Sequence, residues 1–289
     1  MLPLLQICEG NFRVTDAPAE TVIQARRGWS LPNFREIFEY RDLLRFLVLR
    51  DLKVKYRQTA LGVLWAVLQP LQMMAVMWLV FGKVLGLSSD GLPYPLFCLA
   101  GLVLWTYFAQ TVSTASASVI SHVQLIEKVY FPRLLIPLAA TLSGLPNLLI
   151  SFVLLMALMV VYGVAPGQAL LMCVPLAAMT ALLAFGTGAA FAALSVRYRD
   201  IPYVVPIMLQ LWLYITPVIY STSAVPEKWR FLLAVNPMTG IVEAFRVALF
   251  NTGTDVSALF LMSCIGVVVV VPLGLIIFGS LERDFADVI

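Results

Sequence analysis

Reactive side chains are sparse in these 289 residues, and their scarcity is informative. The chain holds a single histidine, His122, in a short polar stretch, and a lone loop histidine is poor material for catalysis. No paired carboxylates fall inside the long apolar runs, and neither an HExxH nor a GxSxG pattern occurs. The GxxxxGK[ST] phosphate loop is also missing, so the chain does not hydrolyse ATP by that route. Cys8, Cys98, Cys173 and Cys264 lie far apart, without metal or redox spacing, and read as small apolar fillers. The expectation is a protein that is not an enzyme and binds no metal. A membrane enzyme acting on lipid-linked sugars would need clustered Asp, His or Arg at the membrane face, which the short polar loops do not supply. A proton- or sodium-coupled carrier would keep acidic groups inside its apolar segments, and these have essentially none.

Binding chemistry remains, in three groups. The first is LIEKVYFPRLLIPLA, a charged and aromatic wedge between apolar runs. There Glu127, Lys128 and Arg133 supply orientation, Tyr130 and Phe131 supply anchors of the kind that dominate interfaces, and Pro132 ends a short helix. The second is Asn236, Pro237, Glu243 and Arg246, with the last two placed three apart to pair on one helical face. The third is a set of aromatics, Trp65, Trp105, Tyr107, Phe108, Trp212 and Tyr214, with the hydroxyls Thr111, Ser113, Thr114, Ser116 and Ser118 nearby. Aromatic faces stack on sugar rings and hydroxyls bond around them. The plainer alternative is that aromatics belt the membrane interfaces and small residues pack helices.

Composition says what must position these groups. The chain is 61% hydrophobic and 12% charged, where a soluble domain carries about 25% charged residues. Its mean hydropathy is +0.92. Lipid must therefore be the solvent for most of it. A bilayer core about 30 Å thick needs roughly 20 apolar helical residues. Uncharged gaps of that length or more follow Arg57, Asp90, Asp200 and Asp255, and the gap from Arg133 to Arg197 is long enough for two spans around the turn YGVAPG. The count is six spans, all helical because open strands would leave backbone groups unpaired in lipid. Between spans five and six lie two apolar pieces, Phe231–Val235 and Ile241–Phe250, each too short to cross, joined by Asn236-Pro237 and Gly240. That pattern predicts a re-entrant helical hairpin.

Lysines and arginines set the orientation. With both termini on one side, that side holds 15 of the 19 basic residues. The termini are expected in the cytoplasm, and the net charge of +3 reflects this asymmetry rather than any nucleic-acid partner. Residues 1–32 read as a loosely ordered cytoplasmic tail. Residues 33–58 read as an amphipathic helix lying on the membrane, opened by a capping pair Asn33 and Glu36, with Arg41, Arg45, Arg50 and Lys53 facing the headgroups. Residues 59–289 are expected to form the six-span transmembrane domain.

Six stretches taken together, RDLKVKYRQTALGVLWAVLQP, YPLFCLAGLVLWTYF, EKVYFPRLLIPLA, LSVRYRDIPYVVP, AVNPM and ERDFADVI, resemble the type-2 permease subunits of ABC exporters. They are most similar to the branch exporting bacterial O-antigen, capsule and teichoic acid. The likeness runs from about Asn33 to Ile289, and the longer N-terminal tail is the one departure.

This resemblance implies an all-α membrane protein that moves a lipid-linked cell-surface polysaccharide across the bacterial inner membrane. It implies a coupling helix over about Ser121–Arg133, docked on a separate ABC ATPase that binds the ATP and Mg, while this chain binds no cofactor. It implies channel aromatics that grip sugars, and an exit shaped by Asn236, Pro237, Glu243 and Arg246. Six helices are too few to enclose a polymer, so a homodimer with two ATPase copies is expected. An exporter of drugs or small lipids on the same fold is the alternative.

Overall fold

A computed structural model describes residues 34–57, 64–252, 256–282 and 285. The N-terminal tail and the Asn33 cap lie outside these residues. Every regular element among the described residues is helical. Helix α1 (Phe34–Glu39) and α2 (Arg41–Arg57) precede the first span, α3 (Leu64–Met77), which continues as a π-helix through Trp78–Val84. Next come α4 (Tyr94–Ser121), the short α5 (Val123–Lys128) and α6 (Leu135–Val161). The second half contains α7 (Cys173–Arg197), α8 (Ile201–Ile215), α9 (Glu227–Val235), α10 (Pro237–Phe250) and α11 (Ser257–Leu281).

Five of these segments are long and apolar enough to cross a membrane alone. The bent pair α9–α10, broken by 96°, would make a sixth. The expected fifth span, α8, is different. Its 15 residues reach only about 22 Å at 1.5 Å per residue. It stops because Thr216 precedes Pro217, whose ring disfavours helical geometry in the residue before it. The chain then runs irregularly through Val218 and Ile219, which are fully buried.

Helix α4 is the axle of the bundle, packed by α3, α6, α7, α8 and α10. Its apolar window is 78% buried, against 22% for α6 and for α11. In lipid, apolar side chains gain little by leaving one greasy surface for another, so close backbone approach does the work. The α7–α11 contact shows this. A Cβ on Gly274 would lie 2.0 Å from the Gly186 carbonyl oxygen, so only glycine lets the two backbones meet there. The α9–α10 corner is set by Asn236, whose Oδ1 accepts from the Met238 N–H at 3.0 Å and caps α10. Its amide also donates to Thr216 Oγ1 at 2.8 Å, tying the corner to the end of α8. The predicted hairpin is thus a helix pair pinned at its bend.

Helix α2 lies against α6; its Leu47 is buried, while Phe46 and Leu49 are exposed, as are Asp42 and Arg45.

Candidate functional site

The wedge between α4 and α6 forms an elbow. His122 breaks α4, α5 makes little more than one turn, and Val129 is extended (φ −136°, ψ 132°). Tyr130 faces out, 55% exposed, with Glu127, Lys128 and Val129. Phe131 faces in at 4% exposure, in a cluster with Ile37, Val119, Phe185, Phe278 and Phe285. Of the two expected anchors, Tyr130 is thus on the surface of the chain and Phe131 within it. Arg133 also turns inward. Its guanidinium donates to the Glu282 carbonyl, its backbone N–H donates to Glu282 Oε1 at 3.3 Å, and the guanidinium lies 5.5 Å from the Phe285 ring centre. Pro132 is half-buried at the turn into α6.

The surroundings of the elbow are acidic and partly dry. Desolvation first, then the negative charges of Glu36 and Glu282, push the Tyr130 phenol upward. Burial raises the Glu282 carboxyl, with Arg133 pulling it back down. The elbow, α1 and the residues Glu282 and Phe285 thus converge on one small region through Phe131 inside and Tyr130 outside.

Of the four cations expected on the surface helix, Arg41, Arg45 and Lys53 are exposed, and Arg45 pairs with Asp42 at 3.3 Å. An exposed pair of this kind contributes little. Arg50 faces inward instead. Its guanidinium bonds Asp51 at 2.7 Å and contacts His122 Nε2, joining α2 to the end of α4.

The aromatic set separates. Trp105 and Phe108 are buried and stack edgewise around the half-buried Trp212, with ring centres 5.7, 6.5 and 6.0 Å apart. Tyr107 is buried too, its hydroxyl donating to the Thr141 carbonyl at 3.1 Å. Within one copy these three α4 rings pack against neighbouring helices, and Tyr107 also lines the groove between α2, α4 and α6. Trp65 and Tyr214 are about half exposed and stand on the outer surface.

The hairpin residues form the tightest polar constellation. Arg246 is 2% exposed and donates from Nη1 to the Pro217 carbonyl and from Nη2 to the Val218 carbonyl, each at 2.7 Å. It pairs with Glu243 at 3.1 Å and lies 3.6 Å above the Phe97 ring. Gly101 makes room for it, because a Cβ there would fall 2.8 Å from Nη2. The cation therefore terminates the backbone that α8 leaves open where it breaks. Beside it, Tyr94 donates to the Ile219 carbonyl at 2.7 Å, and Ser221 and Ser223 donate to Asp90, which holds the outer loop against this break.

Sequence reasoning missed a groove of about 580 Å³ between α2, α4 and α6. Its wall on α4 is Tyr107, Gln110, Thr111, Thr114, Ser118 and Ser121, spaced three and four apart so that they share one face. That spacing was visible, but the neighbouring Ser113 and Ser116 blur it, and the facing helices are not written in the sequence. Beside Gln110, an amide chain links Gln69, Gln110 and Asn147 across α3, α4 and α6 at 3.0 and 3.3 Å.

Comparison with known proteins gives a consistent outcome. Residues 42–250 match the family described as ABC-2 type transporter. A protein of Myxococcus xanthus named O-antigen export system permease protein RfbA is 32% identical over 262 residues, 88% of this chain and 97% of that protein. One of the same name in Klebsiella pneumoniae is 28% identical over 249 residues, 86% of this chain and 95% of that one. The Escherichia coli protein named Polysialic acid transport protein KpsM is 23% identical over 205 residues, covering 70% of this chain and 79% of its own.

Proposed function

The chain belongs to the ABC-2 type transporter family, and from that membership we propose that it is the membrane permease of an ATP-driven exporter of a bacterial surface polysaccharide. The names of its relatives favour a glycan cargo over drugs or small lipids. ATP and Mg sit on a separate ABC ATPase, and two copies of each subunit make the transporter. The elbow carries this reading. Glu127, Lys128 and Tyr130 face outward on a segment too short to have a core of its own, yet rigidly mounted through Phe131.

The mount suggests the route of force. Phe131 shares its cluster with residues of α4, α7 and α11, so a push on the elbow reaches three spans at once. Helices α7 and α11 in turn pack against α10, the inner arm of the hairpin. Arg246 ties α10 to the broken end of α8. Displacement at the elbow is thereby delivered to the opposite end of the bundle. Because α4 fills the centre of each protomer, the polysaccharide passes between two copies rather than through one. The Lys and Arg bias puts the elbow in the cytoplasm of the host and the hairpin outside its inner membrane.

The test is partner capture. Tyr130→Ala lowers co-purification of the cognate ATPase at least tenfold while insertion is unchanged. Uphill cargo movement by vesicles holding this chain alone, or labelling of a cysteine at position 128 by an impermeant reagent from the outer face, overturns the reading.

A further inference from the structure

We propose that one water molecule is bound between α3, α4 and α6 within the hydrocarbon layer, and that this wet joint is where the first span is fastened and swings. The water site stands on geometry alone, and the swing rests on the permease reading.

The joint is a small polar pocket of about 10 Å³. One water needs about 10–15 Å³ and two to four polar partners. Gln69 of α3, Gln110 of α4, and Asn147 and Ser151 of α6 all line it. Asn147 donates to Gln110 and Gln110 to Gln69, which fixes a polar edge across the three helices. Ser151 is the odd member. Buried hydroxyls elsewhere in the spans, such as Ser143, Thr180 and Ser195, donate to a carbonyl of their own helix. Ser151 is 5% exposed, lines the pocket, and has no hydrogen bond among the described residues. A buried hydroxyl without a partner is costly, and a water in the pocket removes that cost.

Prolines place the need for water at this level. Pro70 lies inside α3 and has no N–H for the Ala66 carbonyl four residues earlier, and both residues line the pocket. Pro146 lies inside α6 directly before Asn147. Membrane helices tolerate proline where side chains or ordered waters satisfy the freed backbone groups. Eleven residues separate Gln110 from Ser121 at the elbow end of α4, about 17 Å at 1.5 Å per residue. The pocket therefore lies well inside a core about 30 Å thick.

Elsewhere α3 is loosely held. Its apolar window is 17% buried, against 78% for α4. Its buried residues are Ala66, Pro70 and Met77, and the first two are at the pocket. Beyond Met77 the span continues as a π-helix with no buried residue, in which the Lys83 ammonium lies 4.4 Å from the Trp78 ring centre. Those two are five apart, the interval that closes one π turn. Rewinding toward the α form gives this outer end slack. Hydrogen bonds between membrane helices are modest, so the amide chain can open and close. A span fastened at one polar joint and slack beyond it swings at that joint.

The water site is tested by Ser151→Ala, with Ser143→Ala on the same helix as control. Ser143 is satisfied within α6, so its loss leaves melting of the detergent-solubilised chain near wild type. Ser151→Ala removes a hydroxyl that bonds no protein group, yet it lowers the melting temperature by about 2–6 °C because the water loses a partner. Equal melting of the two variants overturns the water site. A cryo-EM map of the wild-type transporter gives a second reading that no variant can spoil. Density within hydrogen-bond distance of Ser151 Oγ is expected, and ordered waters elsewhere in the bundle with none there overturn the site.

The swing is tested on the transporter assembled with its ATPase, carrying Ala66→Cys and Leu148→Cys, which line the pocket from α3 and α6, with the four native cysteines replaced by alanine. A short bis-methanethiosulfonate joins the pair. Its yield falls severalfold between the nucleotide-free state and the state trapped with ATP and vanadate. The same yield in both states overturns the swing while the permease reading stands. A chain that captures no ATPase refutes the permease reading and the swing with it, and the Ser151 result still decides the water site.

Discussion

Replacing Arg246 by Met is the sharpest test of how the hairpin is held. Met fills a similar volume but removes the charge and its donors. Glu243, 5% exposed, is then a buried carboxylate without its cation, a loss of about 3–5 kcal/mol. The Pro217 and Val218 carbonyls also lose donors now at 2.7 Å, which moves the total toward the upper end of that range, since each orphaned buried acceptor costs about 1–3 kcal/mol. Contributions in one network do not add fully, so the pair value is the fair figure. At about 2–4 °C per kcal/mol for a chain of this order of size, the melting temperature falls by about 6–20 °C. Thermal unfolding of the detergent-solubilised chain, read by intrinsic fluorescence and checked by size exclusion, measures it. The double variant Glu243→Gln with Arg246→Met removes the stranded charge and recovers at least half of the loss. A single variant within about 3 °C of wild type, or a double variant no better than the single, refutes the argument.

Other outcomes follow from the same contacts. Tyr130→Ala and Phe131→Ala should separate cleanly: the first lowers ATPase capture with unchanged melting, whereas the second costs about 3–5 kcal/mol of stability as an emptied core site. Equal melting of the two variants contradicts the inward placement of Phe131. Gly274→Val forces α11 away from the Gly186 carbonyl and costs about 1–3 kcal/mol or more, while Val268→Leu on the same helix, 71% exposed, has no effect; thermal melting compares them. The pH dependence of Glu282 has a definite sign. Burial raises its carboxyl above 4.5, so the folded chain holds that proton more tightly than the unfolded one, and stability falls as pH rises through the window just above 4.5. Glu282→Gln removes that slope while the Arg133 bond to the Glu282 carbonyl persists, and melting over a pH series should show the wild type losing ground to the variant. A wild type that gains on it over that window contradicts the burial argument.

What the sequence determined by itself is the set of elements. Charge gaps such as that between Arg57 and Lys83 marked where helices run, because an unpaired charge in hydrocarbon is costly enough to be avoided almost everywhere. The Asn236-Pro237 corner and the pairing of Glu243 with Arg246 were also legible, since both depend on spacing within one element. Tertiary structure alone decided which apolar residues face protein. In water, burial follows hydrophobicity. In lipid, the Trp105 side and the Trp65 side of the fold are equally comfortable, so nothing local announces that one is enclosed by five helices and the other faces outward. The shortness of α8 had a local mark in Pro217, although the apolar run continues past it. The indifference of lipid hid the inward turn of Phe131, and the gathering of Arg50, Thr111 and Ser143 from three helices around one groove. Those arrangements depend on contacts between distant segments, which leave no periodic mark on any one of them.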